Sequence, residues 1–281
     1  KVKYIVEKSN ADRKGVVVRA GDVLVKVNGE PVDTKMDRNF YFTRPSLDRE
    51  LVLTFSRAGQ QVEVKLHPEN TFALVGQLYD EWIENNRQHV TDKSKNRIAY
   101  GYMKNMGQGE LENFLVDMTR QLANRDALIL DLRYNTGGNV HDDVLRFLSQ
   151  KSYLQWKYRE GQMTPQSNFS PSDKPIVLLV NEQSLSDAEM TATGFKQLKL
   201  GKIIGTETYR WIIFTSGKGL VDGSFYRLPS WGCYTLDGKN IEKEGVKPDI
   251  TVANTFLDRV NGNDPQLDKA IETILQQLKS N

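Results

Sequence analysis

The chain has 281 residues, 26% of them charged, with 38 Lys and Arg against 36 Asp and Glu and a net charge of +2. That balance gives no basic footprint for nucleic acid, no apolar run approaches the roughly 20 residues of a membrane span, and a single cysteine, Cys233, excludes an internal disulfide. The length suits about two domains with ample core. Residues 1–68 read as a small β-rich domain. An alternating strand over 20–27 enters Asn28-Gly29, a dipeptide that favours a hairpin because both positions tolerate positive φ. A polar segment with helical character spans 33–43, and alternating strands at 50–56 and 61–66 flank Ala58-Gly59.

Residues 71–281 alternate between helical and extended periodicity, the pattern of an α/β layer with helices packed on a sheet. Leu74, Leu78, Trp82 and Ile83 mark a helix over 72–86, and 97–103 reads as a strand. Leu111, Phe114, Leu115, Met118 and Leu122 share one face of a helix over 110–123. Strands at 127–132, 175–180 and 202–205 alternate with helices at 142–148 and 187–198. A hairpin is expected from 220–228 and 231–234 around Asp222-Gly223 and Pro229, with Cys233 packed inside it, and a closing helix over 265–278. The stretch 151–174 is long and weakly periodic, a loop or lid.

Three turns carry the chemistry. Asn181-Glu182-Gln183-Ser184-Leu185-Ser186-Asp187-Ala188-Glu189 joins the apolar strand at 175–180 to a helix, so Ser186 sits where the first N–H groups of a helix lack intrahelical partners. A hydroxyl there can serve as a nucleophile next to oxyanion donors, or simply as an N-cap. Asp131-Leu132-Arg133-Tyr134-Asn135-Thr136-Gly137-Gly138 runs a buried strand into a glycine pair. That pair can aim an N–H at an oxyanion or merely make a tight turn. Glu242-Lys243-Glu244-Gly245-Val246-Lys247-Pro248-Asp249 is by itself a charged surface turn.

In this order the three phrases resemble the tail-specific and tricorn-type serine peptidases, the group that includes the C-terminal processing proteases, and the likeness covers essentially the whole chain. The phrase at 131–138 is similar to the family's Asp-x-Arg-x-Asn-x-Gly-Gly, and 242–249 to its Glu-x-x-Gly-Val-x-Pro-Asp. Gly21-Asp22-Val23-Leu24 through Asn28-Gly29 resembles protease PDZ modules. The resemblance implies an α/β catalytic core, a mixed sheet with packed helices over 71–281, preceded by a PDZ-like peptide-binding domain over 1–68 that takes substrate tails as an added strand. It implies Ser186 as nucleophile, the N–H groups of Gly138 and Asp187 as oxyanion donors, Glu242 as the carboxylate orienting the relay, and Gly137 and Asp187 in substrate binding. The Asp187 side chain is either a selector of basic P1 residues or a charge favourable at a helix N-terminus.

Two departures matter. The processing proteases use a Ser-Lys dyad, but the matching phrase here is Thr208-Tyr209-Arg210-Trp211, with an indole in the lysine slot. Neither an indole nor an arginine can act as the base. The tricorn branch uses a Ser-His pair upstream of its PDZ-like domain. Here His67, His89 and His141 are all without a preceding serine, and His141 alone lies near a site residue. The expectation is a fragment whose parent carries that pair and assembles into homo-oligomers, hydrolysing peptides or unfolded protein. The alternative is a catalytically silent peptide-binding protein. An esterase is disfavoured by the missing Gly-x-Ser-x-Gly elbow. No metal or cofactor motif is present, and the compartment stays open between cytoplasm and periplasm.

Overall fold

In a computed structural model, which describes residues 1–44, 46, 48–165 and 171–280, the chain divides into two compact units, Lys1–Asn85 and Asn86–Asn281. The first contains a four-stranded antiparallel sheet in the order β2-β1-β3-β4, built from β1 (Val23–Val27), β2 (Glu30–Pro31), β3 (Leu51–Arg57) and β4 (Gln60–Leu66). Asn28 and Gly29 have φ of 49° and 82°, the two left-handed residues that a tight hairpin between β1 and β2 demands. Val27, Leu51, Leu53, Phe55 and Val64 are buried with Val18 and Tyr41 as this unit's core. The helical segment expected over 33–43 is shorter, α1 (Arg38–Phe42). Asp33 instead closes a turn by accepting from the Lys35 N–H, and Asp37 caps the helix through the Asn39 N–H at 2.7 Å.

Helix α2 (Thr71–Ser94) is longer than its apolar spacing suggested, and the boundary between the units falls inside it. The second unit is organised by β5 (Ile98–Tyr102), α3 (Gln108–Leu122), β6 (Ala127–Asp131), α4 (His141–Leu148), the exposed hairpin β7 (Gln155–Lys157) and β8 (Met163–Pro165), β9 (Ile176–Val180), α5 (Asp187–Gln197) and β10 (Lys202–Gly205). After these come the ribbon β11 (Phe214–Gly219) and β12 (Phe225–Trp231), then α6 (Ile241–Glu244), β13 (Ile250–Thr251), α7 (Phe256–Asn261) and α8 (Pro265–Ser280). The five strands order as β13-β10-β9-β6-β5 and every pairing among them is parallel. The expectation of a mixed sheet is therefore corrected, because each consecutive pair of strands is joined by a crossover rather than a hairpin.

A parallel sheet covered on both faces needs strands apolar throughout, which explains why β6 and β9 are buried at every residue. Leu128, Leu130, Leu178, Val180 and Ile203 pack on one face with Phe114 and Met118 of α3, Val144 and Phe147 of α4 and Ala188 and Phe195 of α5. The alternate residues face the other way, where α8 packs on β6, β9 and β10 through its buried Leu267, Ala270, Ile271 and Ile274. The β11–β12 ribbon begins earlier than expected, with Asp222-Gly223 in its turn and Pro229 inside β12, paired with Thr215 beside a register irregularity. Proline is tolerated there because the ribbon has free edges. Residues 166–170 of the expected loop or lid segment lie outside the described residues.

Candidate active site

Two strand-to-helix turns meet at the carboxyl ends of β6 and β9. The first, after β6, is held by Asn135, which is fully buried. Its Nδ2 donates to the Met103 carbonyl at 2.9 Å and its Oδ1 accepts from the Gly137 N–H at 2.8 Å. The second, after β9, is held by Asn181, whose Oδ1 accepts from the N–H groups of Tyr134 and Gln183, and by Ser184, whose hydroxyl donates to the Leu132 carbonyl at 2.8 Å. Because Leu185 N–H donates to the Asn135 carbonyl, the turns are stitched side by side. That stitching is what the asparagines of both sequence phrases supply.

Ser186 stands at the junction with φ 55° and ψ −117°, in the left-handed half of backbone space that a non-glycine residue occupies at a cost. Gly137, at φ 79°, lies against it. A Cβ on Gly137 would come within 2.7 Å of the Ser186 Cβ and 3.2 Å of its Oγ. Both polar groups of the Gly137 backbone are taken, the N–H by Asn135 and the carbonyl by the Met106 N–H, so its contribution is the close approach itself. Gly138 is fixed differently, since a Cβ there would sit 2.0 Å from the Met106 carbonyl oxygen. Among the described residues neither the Gly138 N–H nor the Asp187 N–H has an intramolecular acceptor. Those are the two donors named from the sequence for an oxyanion.

Gly138→Ala is expected to force the turn away from Met106. Overpacking of this kind costs roughly 1–3 kcal/mol, here against backbone rather than a flexible side chain, so a lowered thermal midpoint should accompany loss of any Ser186-dependent reaction.

The Asp187 side chain is 3% exposed. Its Oδ2 accepts from the N–H groups of Val140 and His141 at 2.8 and 3.0 Å, capping α4 across the gap between the helices. Its Oδ1 lies 2.5 Å from His141 Nδ1. The carboxylate is thus committed inside the chain, a helix N-terminal charge on α4 as well as on its own helix. Of the two readings offered for this side chain, these contacts are those of the helix N-terminal charge. The Asp187 carboxylate against its ring raises His141 above its ordinary value, against the lowering effect of burial. A raised histidine stabilises the fold fully below its unfolded pKa of about 6.5 and loses that contribution as pH rises through the folded value. The thermal midpoint should therefore fall as pH climbs above about 6.5, and His141→Gln should flatten that dependence in a pH series of melts.

The third phrase reaches the site through its backbone. Gly245 ends α6 at φ 65°, the Val246 carbonyl accepts from the Thr208 N–H while the Val246 N–H donates to the Thr208 hydroxyl, and Asp249 accepts from the Ile203 N–H through Oδ2 at 2.8 Å. Glu242 is half-buried in α6 with its N–H capped by Asn240. Among the described residues its carboxylate makes no hydrogen bond to Ser186. Nor does any of the three histidines: His89 pairs with Asp268 at 2.6 Å, His141 with Asp187, and His67 belongs to the first unit. Trp211, in the lysine slot, stacks on Tyr209 with ring centroids 5.5 Å apart. Burial pushes the Cys233 thiol up, away from thiolate chemistry.

One residue was missed by sequence reasoning. Glu189 is fully buried and accepts four hydrogen bonds. Oε2 takes the N–H groups of Ser186 and Trp211 at 3.0 and 2.9 Å, and Oε1 takes the Thr208 hydroxyl and the Arg210 N–H at 2.6 and 2.8 Å. The local part of its signal was present in the sequence, because Ser-x-x-Glu before an apolar helix is the pattern of a capping box.

The sequence pattern of peptidase family S41 matches residues 97–252. The chain is 33% identical over 277 residues to a tricorn protease homolog of Saccharolobus solfataricus, covering 97% of this chain and 25% of the relative. It is 32% identical over 204 residues to the tricorn protease of Thermoplasma acidophilum, covering 72% of this chain and 19% of that protein. A crystal structure of the tricorn protease superposes with a TM-score of 0.77 at 27% identity, covering 98% of this chain and 26% of that one. The chain therefore spans about a quarter or less of the length of these relatives.

Proposed function

Because the chain belongs to peptidase family S41, we propose that it is the catalytic part of a serine peptidase in which Ser186 attacks the carbonyl of a peptide or unfolded polypeptide. The observation that carries this reading is the placement of Ser186: a left-handed serine at a helix N-terminus, against Gly137, with the N–H groups of Gly138 and Asp187 on the same two turns unpaired among the described residues. As Oγ bonds to the carbonyl carbon, the π electrons move to the carbonyl oxygen, which these two donors stabilise. The Oγ proton passes to a base and from it to the leaving amine, which departs and leaves an ester on Ser186. Water then cleaves the ester and restores the serine.

The base is a histidine from outside this chain, supported by the absence, among the described residues, of any His bonded to Ser186. Glu242 orients that histidine; its helix is tied to the Thr208 loop, and the loop to Glu189. Residues 1–68 act as a PDZ-like module that takes a substrate tail along a free edge of its sheet, where β2 and β4 are the outer strands. The full-length parent works as a homo-oligomer on such substrates.

That no histidine among the described residues is hydrogen-bonded to Ser186 also favours a second reading, a silent peptide-binding protein. Fluorogenic peptides incubated with the chain alone and with its parent protein separate the two. Hydrolysis by the parent, lost in its Ser186→Ala form, supports the peptidase. A folded parent that binds peptides without cleaving them supports the silent binder.

A further inference from the structure

The nucleophile is not the only strained residue at this site. Arg210 has φ 72° and Ser186 φ 55°, and the N–H groups of both donate to the same buried carboxylate, that of Glu189. Each of these conformations persists only when its surroundings over-determine it. Here one side chain supplies that determination from two sides at once. Its Oε2 reaches back one helical turn to the Ser186 N–H, while the Trp211 N–H on the same oxygen and the Arg210 N–H and Thr208 hydroxyl on Oε1 hold the carboxylate in place.

We propose that Glu189 is the positioning residue of the nucleophile: by accepting the Ser186 N–H it holds Ser186 in the left-handed conformation that sets its side chain against the Gly137 turn, and it keeps that N–H out of the oxyanion site. The division of labour follows from the hydrogen bonds. Three donors stand at this corner, those of Gly138, Ser186 and Asp187, and among the described residues only the Ser186 N–H of the three is internally paired. An oxyanion is thus left with two donors whose directions are set by two different turns. Without the clamp, the Ser186 peptide can relax toward ordinary backbone space, which swings Oγ away from Gly137 and turns the next amide, that of Asp187, with it.

The proposal rests on Ser186 being the nucleophile, and the test separates the two. The parent protein is treated with a fluorophosphonate, and the rate of Ser186 modification is measured for the wild type, Glu189→Gln and Glu189→Asp, each with a melt to count folded molecules. Glutamine puts its amide nitrogen either against the N–H groups of Ser186 and Trp211 or against that of Arg210, depending on how it is turned, so either the Ser186 clamp or the contacts to 208–211 that hold it in place weaken. Aspartate at the third helical position can still reach the N-cap, as Asp258 does here by accepting from the Thr255 N–H at 2.9 Å, but it is too short to keep the bonds to 208–211.

The expected result is a rate per folded molecule that drops on the order of 10²-fold in Glu189→Gln, the scale of a misplacement of about 1 Å, with KM for a peptide little changed. Glu189→Asp should recover most of the rate despite a lower melting point. If Glu189→Gln does not fold, the aspartate variant alone decides. A purely structural Glu189 gives the opposite pattern: Glu189→Gln labels at the wild-type rate per folded molecule, or Glu189→Asp loses rate in step with its lost stability, and either overturns the proposal. A wild type that is never modified at Ser186 removes the nucleophile reading itself, and the positioning role with it.

Discussion

Ser186→Ala in the full-length protein should eliminate peptide hydrolysis, a loss on the order of 10⁶ in kcat where the nucleophile of such a site is removed, while leaving the melting point almost unchanged. The alanine keeps the backbone N–H that donates to Glu189 and keeps the residue at φ 55°, so neither the clamp nor the strain is altered. Ser186→Gly sharpens the expectation. Glycine enters left-handed space freely and is nearly as good an N-cap as serine, so relief of strain that costs of order 1–3 kcal/mol should raise the melting point of an enzyme with no activity. Gain in stability with loss of function at one position is the signature of a strained nucleophile. A glycine variant that melts at or below the wild type would argue that the conformation carries no strain worth releasing.

Arg133→Met should be the most destabilising single change away from the serine. Arg133 is 1% exposed and its guanidinium is shared between two carboxylates. Nη2 lies 2.7 Å from Asp131, and Nη1 lies 2.8 Å from both oxygens of Asp264 at the start of α8. Tyr100 completes the cluster by donating its hydroxyl to Asp131 at 2.9 Å. Burial alone would lower the guanidinium pKa, yet the two carboxylates hold it well above its ordinary value. Removing the cation leaves the fully buried Asp131, and Asp264, without the charge that compensates both. Breaking a buried pair in this way costs about 3–5 kcal/mol, a large share of a typical folding free energy of about 5–15 kcal/mol. Urea denaturation of the chain is the measurement, and the midpoint should fall steeply. The cluster also explains the spacing in Asp131-Leu132-Arg133: Asp131 ends β6 and Arg133, two residues on in the turn, folds back so that carboxylate and guanidinium close on each other.

Much of the second unit was legible because its strands are continuous apolar runs and its helices amphipathic, and the observed limits of β6, β9, α5 and β10 differ from the expected ones by at most one residue. The turns were legible through Asn28-Gly29 and Gly137-Gly138, where backbone geometry selects residue type. What sequence could not carry was the pairing of distant groups. Asp187 was seen as a charge on its own helix, but its carboxylate also caps α4, 47 residues away from the Val140 N–H. Glu189 offered a capping pattern, yet three of its four donors come from residues 208–211, the Thr208 hydroxyl and two backbone N–H groups with no sequence signature. The extent of α2 was underestimated because its second half carries few apolar residues and is held by polar contacts such as Arg87 to Asp117. The parallel sheet was implied by the crossovers, but an expectation of a mixed sheet gave the terminal segment a freedom the structure does not use.

The most direct test of the central claim is peptide mapping of the parent protein after fluorophosphonate treatment. The account predicts a single modified serine, Ser186, on the peptide that joins β9 to α5, with no adduct in the Ser186→Ala form. A folded, unmodified protein, or an adduct on any other serine, would contradict it.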